Sequence, residues 1–155
     1  MIKYLGSKRA LAGVLGTLAE AAGASTAVDL FTGTTRVAQE FKRRGLAVTA
    51  ADLASYSEIL ARCYISTDAA AIDLDELDEL LAELDALPGV RGYVTETFCE
   101  QARFFQPHNG QRIDAIRERL VTLTEHALYP VLLTALIEAA DRVDSTAGVH
   151  MAYMK

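Results

Sequence analysis

The alternation of apolar and polar positions predicts an α/β start followed by a helical remainder. Leu11, Val14, Leu15 and Leu18 fall at i, i+3, i+4 and i+7, one face of a helix ending near Gly23. Thr26–Phe31 is a short run of apolar and β-branched residues between Gly23-Ala24-Ser25 and Thr32-Gly33, the pattern of a buried strand that ends in a tight turn. Val37, Ala38 and Phe41 then return to helical spacing, and Arg43-Arg44-Gly45 supplies a basic last turn and a glycine stop. Leu46–Ala51 predicts a second strand, which ends in Asp52. Tyr56, Ile59, Leu60, Cys63 and Tyr64 trace one more helical face.

Beyond this the pattern is helical throughout. Asp73–Leu87 predicts an amphipathic acidic helix with Leu74, Leu77, Leu80, Leu81, Leu84 and Leu87 on one side, stopped by Pro88-Gly89. Phe104 to Gly110 reads as an aromatic-anchored turn, after which Ile113, Ile116 and Leu120 begin a short helix. A long apolar helix is predicted from about Tyr129 to Val143, broken by the segment Asp144 to Gly148. No repeat, linker or low-complexity segment interrupts this order.

Charge changes the picture only once it is located. The 155 residues are 51% hydrophobic, enough for one domain with a sizeable core, and carry a net charge of −6. Residues 73–85 hold seven of the 21 acids and no base, so the remainder of the chain is nearly neutral. The acidic total therefore does not exclude DNA, and no basic tract argues for it. No apolar run approaches the ~20 residues of a membrane span, and the N-terminus is not a secretory signal. Cys63 and Cys99 read as buried thiols of a reducing compartment, and His108, His126 and His150 lack zinc spacing. The expectation is a cytoplasmic protein without a bound metal.

The candidate chemistry lies in the strand–turn–helix of Thr26–Arg36. Backbone N–H groups at a helix start favour an anionic group of a ligand. Asp52, at the end of the second strand, suits a ribose, because one carboxylate accepts from two adjacent hydroxyls. A dinucleotide fingerprint wants further glycines where Thr34, Thr35 and Arg36 stand, and their side chains would crowd a diphosphate. The residues thus favour a nucleoside without phosphates, such as S-adenosylmethionine. An NAD-binding Rossmann-type oxidoreductase domain and a non-catalytic helical interaction module stay open as alternatives. Lys8 and Arg9 oppose the dipole of the first helix, a place tolerated if a lysine is held near a ligand carboxylate. Arg91–Val121 carries five arginines and four aromatics. Arginine with polar turn residues can contact phosphates and base edges, which brings forward Arg103, Asn109 and Arg112 for DNA, although ordinary surface arginine reads equally well.

Several segments together resemble a known family. K-Y-L-G-S-K-R at Lys3–Arg9, D-L-F-T-G-T-T-R-V at Asp29–Val37 and A-D at Ala51-Asp52 are similar to the first part of an adenine-specific DNA methyltransferase of the DNA adenine methylase family. In that group the cofactor motifs come first, then an inserted region, and the catalytic motif last. The segments Phe104–Arg117 and Arg142–Lys155 resemble its helical insert. The resemblance implies the N-terminal part of a Rossmann-like S-adenosylmethionine-dependent domain over residues 1–66, then a largely helical DNA-recognition insert over 67–155. It implies that Tyr4 and Lys8 lie along the methionine end of S-adenosyl-L-methionine, and that Asp29, Phe31, Gly33 and Thr34 form the cofactor turn. Asp29 would accept from the donor's ammonium, and Asp52 would hold the ribose hydroxyls.

Two departures qualify what the resemblance implies. Thr35 stands where the family has a small, glycine-like residue. The Asp/Asn-Pro-Pro-Tyr motif that holds a flipped-out adenine is absent, since Pro88, Pro107 and Pro130 are the three prolines and none adjoins another. The expectation is an N-terminal portion, from a truncated gene or a split enzyme, with no catalytic residue and no methyl transfer by itself. Its expected partners are DNA and either a C-terminal half or another copy of itself, through uncovered apolar surface.

Overall fold

The computed structural model describes residues 8–145, which form two compact units dividing between Ala71 and Ile72. Tyr4, the rest of Lys3–Ser7 and the end of the Arg142–Lys155 segment lie outside the described residues.

The first unit runs α1 (Arg9–Ala21), β1 (Thr26–Leu30), α2 (Arg36–Arg43), β2 (Ala47–Ala51) and α3 (Ser55–Ala61), which continues as a π-helical turn over Arg62–Ser66. The two strands pair in parallel from Thr26↔Ala47 to Leu30↔Ala51, and Thr32 N–H donates to Ala51 C=O at 3.0 Å to extend the ladder. Parallel pairing requires a crossover, here made by α2, which packs on both strands and buries Val37 and Ala38. Lys42 ties the end of the unit down by donating from Nζ to Tyr64 C=O and Thr67 C=O.

The periodicity of α1 predicts a helix correctly but points to the wrong packed face. Leu11, Val14 and Leu18 are each more than half exposed, whereas Ala12 and Gly16 are buried against the neighbouring α2. The physical reason is close approach. A Cβ on Gly16 would fall 2.3 Å from Nε of Arg44, whose guanidinium is held by Glu40 and Glu20. Small residues admit that ion-paired side chain where leucines could not. The outer face of β1 is also uncovered, with Val28 61% and Leu30 63% exposed.

In the second unit α4 (Leu74–Ala86), a short helix α5 (Tyr93–Thr95) with a π-helical continuation over Glu96–Gln101, α6 (Pro107–Val121) and α7 (Tyr129–Val143) surround a leucine core. Leu84, Leu120, Leu128 and Leu132 form its centre, each contributing about 1.5–3 kcal/mol by burial. Asp73 caps α4, its Oδ1 accepting from Asp75 N–H and Glu76 N–H, and the acids of the first turn suit the dipole. At the other end Arg112 donates to the free carbonyls of Asp85 and Leu87 at 2.7 and 2.8 Å. Two of the acids of α4 are paired across to the next long helix: Glu83 and Asp85 bind Arg119 and Arg112 of α6.

α6 starts earlier than its apolar repeat predicts. Pro107 occupies the first turn, where a missing N–H costs nothing, so Pro107 to Gly110 of the predicted Phe104–Gly110 turn is helix. Gly110, a breaker by sequence, lies inside that helix because a Cβ there would meet Cys99 Sγ at 2.3 Å.

Candidate functional site

The turn between β1 and α2 is held by carboxylates supplied from outside it. Thr35 precedes α2 with φ +61° and makes no side-chain cap; Asp29, at the end of β1, performs that task. Its Oδ2 accepts from Ala38 N–H at 3.1 Å and from Thr32 Oγ1 at 2.8 Å. Asp29 is buried, so this one oxygen satisfies a helix donor and a turn hydroxyl while placing negative charge at the helix N-terminus. Both bonds fall on Oδ2, which leaves Oδ1 unspent by them.

Phe31, Gly33 and Thr35 all have positive φ, at 59°, 52° and 61°. For phenylalanine and threonine that region is sterically unfavourable and persists only where the surroundings impose it. At Thr35 they do: the residue is wholly buried, its N–H donates to Thr32 C=O at 2.8 Å, and its Oγ1 accepts from Gln39 Nε2 at 2.7 Å. Thr35 thus takes up the glycine-like conformation that its place in the turn demands. The result also corrects the steric argument about Thr34 and Thr35. Both are buried, so their side chains do not crowd the open side of the turn. Phe31, by contrast, is 74% exposed.

Asp52 closes the turn from the end of β2. Oδ2 accepts from Gly33 N–H at 2.8 Å and Oδ1 from Ala54 N–H at 3.0 Å. The bonds from Ala54 and Gly33, aided by Leu53 N–H and the positive charge of Lys8, outweigh a slight loss of hydration and hold the carboxyl below its ordinary range. An ionised carboxylate has about four acceptor positions; the bonds from Gly33 and Ala54 leave acceptor capacity over, and the residue is exposed. Leu53, which the sequence reading passed over, is 99% exposed beside it. Its only signal in the sequence is an apolar residue directly after the strand-end acid.

The structure therefore brings Lys8, Asp29, Phe31, Gly33, Thr34 and Asp52 into one unit and around one turn. The residues considered for DNA lie in the second unit. Arg103 is exposed, and Asn109 is half-buried in the first turn of α6. Arg112 is committed to α4 through two carbonyls and the Asp85 carboxylate at 2.9 Å. A further buried acid, Asp114, was missed because it sits among apolar residues of α6 and reads as an ordinary helix position. It accepts from the backbone N–H groups of Gly92, Val94 and Thr95 and from Thr95 Oγ1. Burial pushes its carboxyl up, but these four bonds together pull it below the usual range. No helix among the described residues is long and apolar enough to cross a membrane.

The model of the D12 class N6 adenine-specific DNA methyltransferases matches residues 4–155. The chain belongs to this family. It is 33% identical to the Type II methyltransferase M.NlaIII of Neisseria lactamica over 168 residues, covering 99% of this chain and 49% of that protein. It is 30% identical over 139 residues to the Type II methyltransferase M.CviAII of Paramecium bursaria Chlorella virus 1, covering 82% of this chain and 40% of the relative. Modification methylase StsI of Streptococcus sanguinis is 26% identical over 172 residues, 99% of this chain and 26% of its own length. The chain thus spans half or less of each of these relatives. No solved structure matches it. Within the family, the described part of this chain is helix-rich with a small parallel two-stranded sheet.

Proposed function

We propose that this chain supplies the methyl-donor site and part of the DNA-recognition surface of an enzyme that methylates N6 of adenine in DNA. The observation that carries the reading is the exposed Asp52 carboxylate, bonded to the Gly33 turn with acceptor capacity to spare, in a chain of this family. Residues 1–66 would be the first part of a Rossmann-like S-adenosylmethionine domain and 67–155 a helical insert facing DNA.

S-adenosylmethionine, when bound, supplies an electrophilic methyl on its sulfonium. Asp52 would accept from the two ribose hydroxyls with its free acceptor positions, and its ionised state suits that task. Exposed Phe31 and Leu53 would cover the apolar parts of the nucleoside and exclude water there. Gly33 and Thr34 would shape the turn against the ligand, and Asp29 would offer Oδ1 to the donor's ammonium. Lys8, whose charge already reaches Asp52, and Tyr4 would lie along the methionine end. For DNA, Arg103 and Asn109 remain available; Arg112 would first have to release three bonds.

Uncovered apolar surface on the outer face of β1 and on α1 is the place for a C-terminal half or a second copy of this chain, because parallel strands are ordinarily covered on both faces. The sequence has no adjacent prolines and so no Asp/Asn-Pro-Pro-Tyr motif, and we expect the chain to bind the donor without transferring methyl. Calorimetry with S-adenosylhomocysteine and with NAD tests the site. Binding of the former alone supports the reading; binding of NAD alone replaces it with a dinucleotide domain. Radiolabelled methyl transfer by residues 1–155 alone would overturn the division of labour.

A further inference from the structure

α6 sorts its three arginines onto two sides. Arg112 and Arg119 turn to α4, where the Asp85 carboxylate and the Glu83 carboxylate hold them. Arg91, ahead of α5, is likewise fixed by Glu100 at 2.7 Å. Arg117 is different. It is exposed, and its guanidinium carbon stands 5.6 Å from the centre of the Tyr93 ring.

Tyr93 is 59% exposed, yet it is not loosely placed. Its ring meets Phe98 edge-on at 5.8 Å, Phe98 meets Phe104 at 6.2 Å, and Phe104 meets Phe105 at 4.9 Å. Phe105 is bridged to Asp144 at the end of α7. Asp114, one helical turn before Arg117, grips the backbone on either side of Tyr93, its carboxylate accepting from the N–H groups of Gly92, Val94 and Thr95. Gly92 is required there, since a Cβ would lie 2.8 Å from Asp114 Cγ. A buried acid, a glycine and three phenylalanines thus hold one tyrosine in solvent with one guanidinium over its face. Such pre-ordering removes the entropic cost that a mobile side chain bears on binding.

We propose that Tyr93 and Arg117 form a DNA-contact site, with the ring packing against an unstacked base and the guanidinium bonding a phosphate of the same strand. The proposal rests on the DNA-methyltransferase reading and refines it, naming contacts other than Arg103, Asn109 and Arg112. An aromatic surface paired with a cation suits a nucleic-acid strand because every base has a π-face and every linkage an anion. The distribution of charge agrees with this: α4's acids neutralise Arg112 and Arg119, so on α6 the accessible positive charge is concentrated at Arg117.

The test is fluorescence anisotropy of labelled double- and single-stranded DNA with the whole chain and the variants Tyr93→Ala, Arg117→Ala, Arg117→Lys and Arg91→Ala. Loss of a stacked base in Tyr93→Ala should weaken binding about tenfold. Arg117→Ala should reduce the slope of log affinity against log salt by about one phosphate contact, and Arg117→Lys should restore that slope. Arg91→Ala, which removes an arginine already paired with glutamate, should leave affinity unchanged. Equal losses in Arg91→Ala and Arg117→Ala would overturn the proposal in favour of general surface charge. Unchanged affinity in Tyr93→Ala and Arg117→Ala, or no DNA binding by the parent chain, would overturn it outright. Binding of S-adenosylhomocysteine in the same preparations separates these failures from failure of the methyltransferase reading. Urea midpoints identify any variant that loses its fold, and Tyr93→Phe, which keeps the ring, should then retain DNA affinity.

Discussion

Gly33 and Asp52 stand 19 residues apart in sequence and are joined by an N–H···O bond of 2.8 Å. The strand-end acid is therefore a structural part of the turn as well as the residue proposed to hold the ligand. Replacing Asp52 with alanine removes both functions. Binding of S-adenosylhomocysteine by calorimetry should fall on the order of tenfold to a hundredfold, the range expected for hydrogen bonds to a charged group. Unaltered binding would place the nucleoside elsewhere.

Asp29 takes the place of the missing side-chain cap of α2. Asp29→Ala should destabilise the chain by about 1–2 kcal/mol, as the loss of a helix cap does. Asp29→Asn, which keeps an amide oxygen to accept from Ala38 and Thr32, should cost less. Urea unfolding followed by helical circular dichroism compares the two. Equal effects would mean that the carboxylate's charge, not its acceptor geometry, supports the turn.

The Glu40 carboxyl is lowered from 4.5 to about 2 by hydrogen bonds from Arg43 and Arg44. A carboxyl depressed in the folded state contributes stability that is present above its unfolded value and lost as pH falls through its folded one. The urea midpoint should therefore decline between about pH 4.5 and 2, and Glu40→Gln should make that decline shallower. A Glu40→Gln variant with the parent's pH profile would show that the two arginines contribute nothing net to stability.

Gly110 and Cys99 are packed in contact between α6 and the π-helical segment before it. Gly110→Ala should destabilise by about 1–3 kcal/mol, the usual cost of overpacking. Truncating the obstruction with Cys99→Ala in the same chain should recover a large part of the loss, although Thr95 Cα at 3.2 Å also crowds the new methyl. Additive losses in the double variant would mean that the helix shifts instead of compressing the thiol contact.

The sequence by itself determined the order of elements. Thr26–Leu30 and Ala47–Ala51 form strands and Tyr129–Val143 a helix, because strand and helix periods are local properties of the chain. It also drew attention to Gly33 and Asp52, through a turn residue and a strand-end acid that local pattern exposes. Only the tertiary structure decided which faces pack. Leu11, Val14 and Leu18 of α1 stay open while Ala12 and Gly16 pack, because Arg44 needs the room beside Gly16. It alone decided that Thr35 adopts a left-handed conformation, since burial and the Gln39 bond sustain a backbone state that the residue type disfavours. It alone separated Arg112, spent on the end of α4, from Arg117, held over Tyr93. Spacing along a chain reports which residues share a face. Which of those faces meets a carbonyl, a carboxylate or solvent depends on partners distant in sequence.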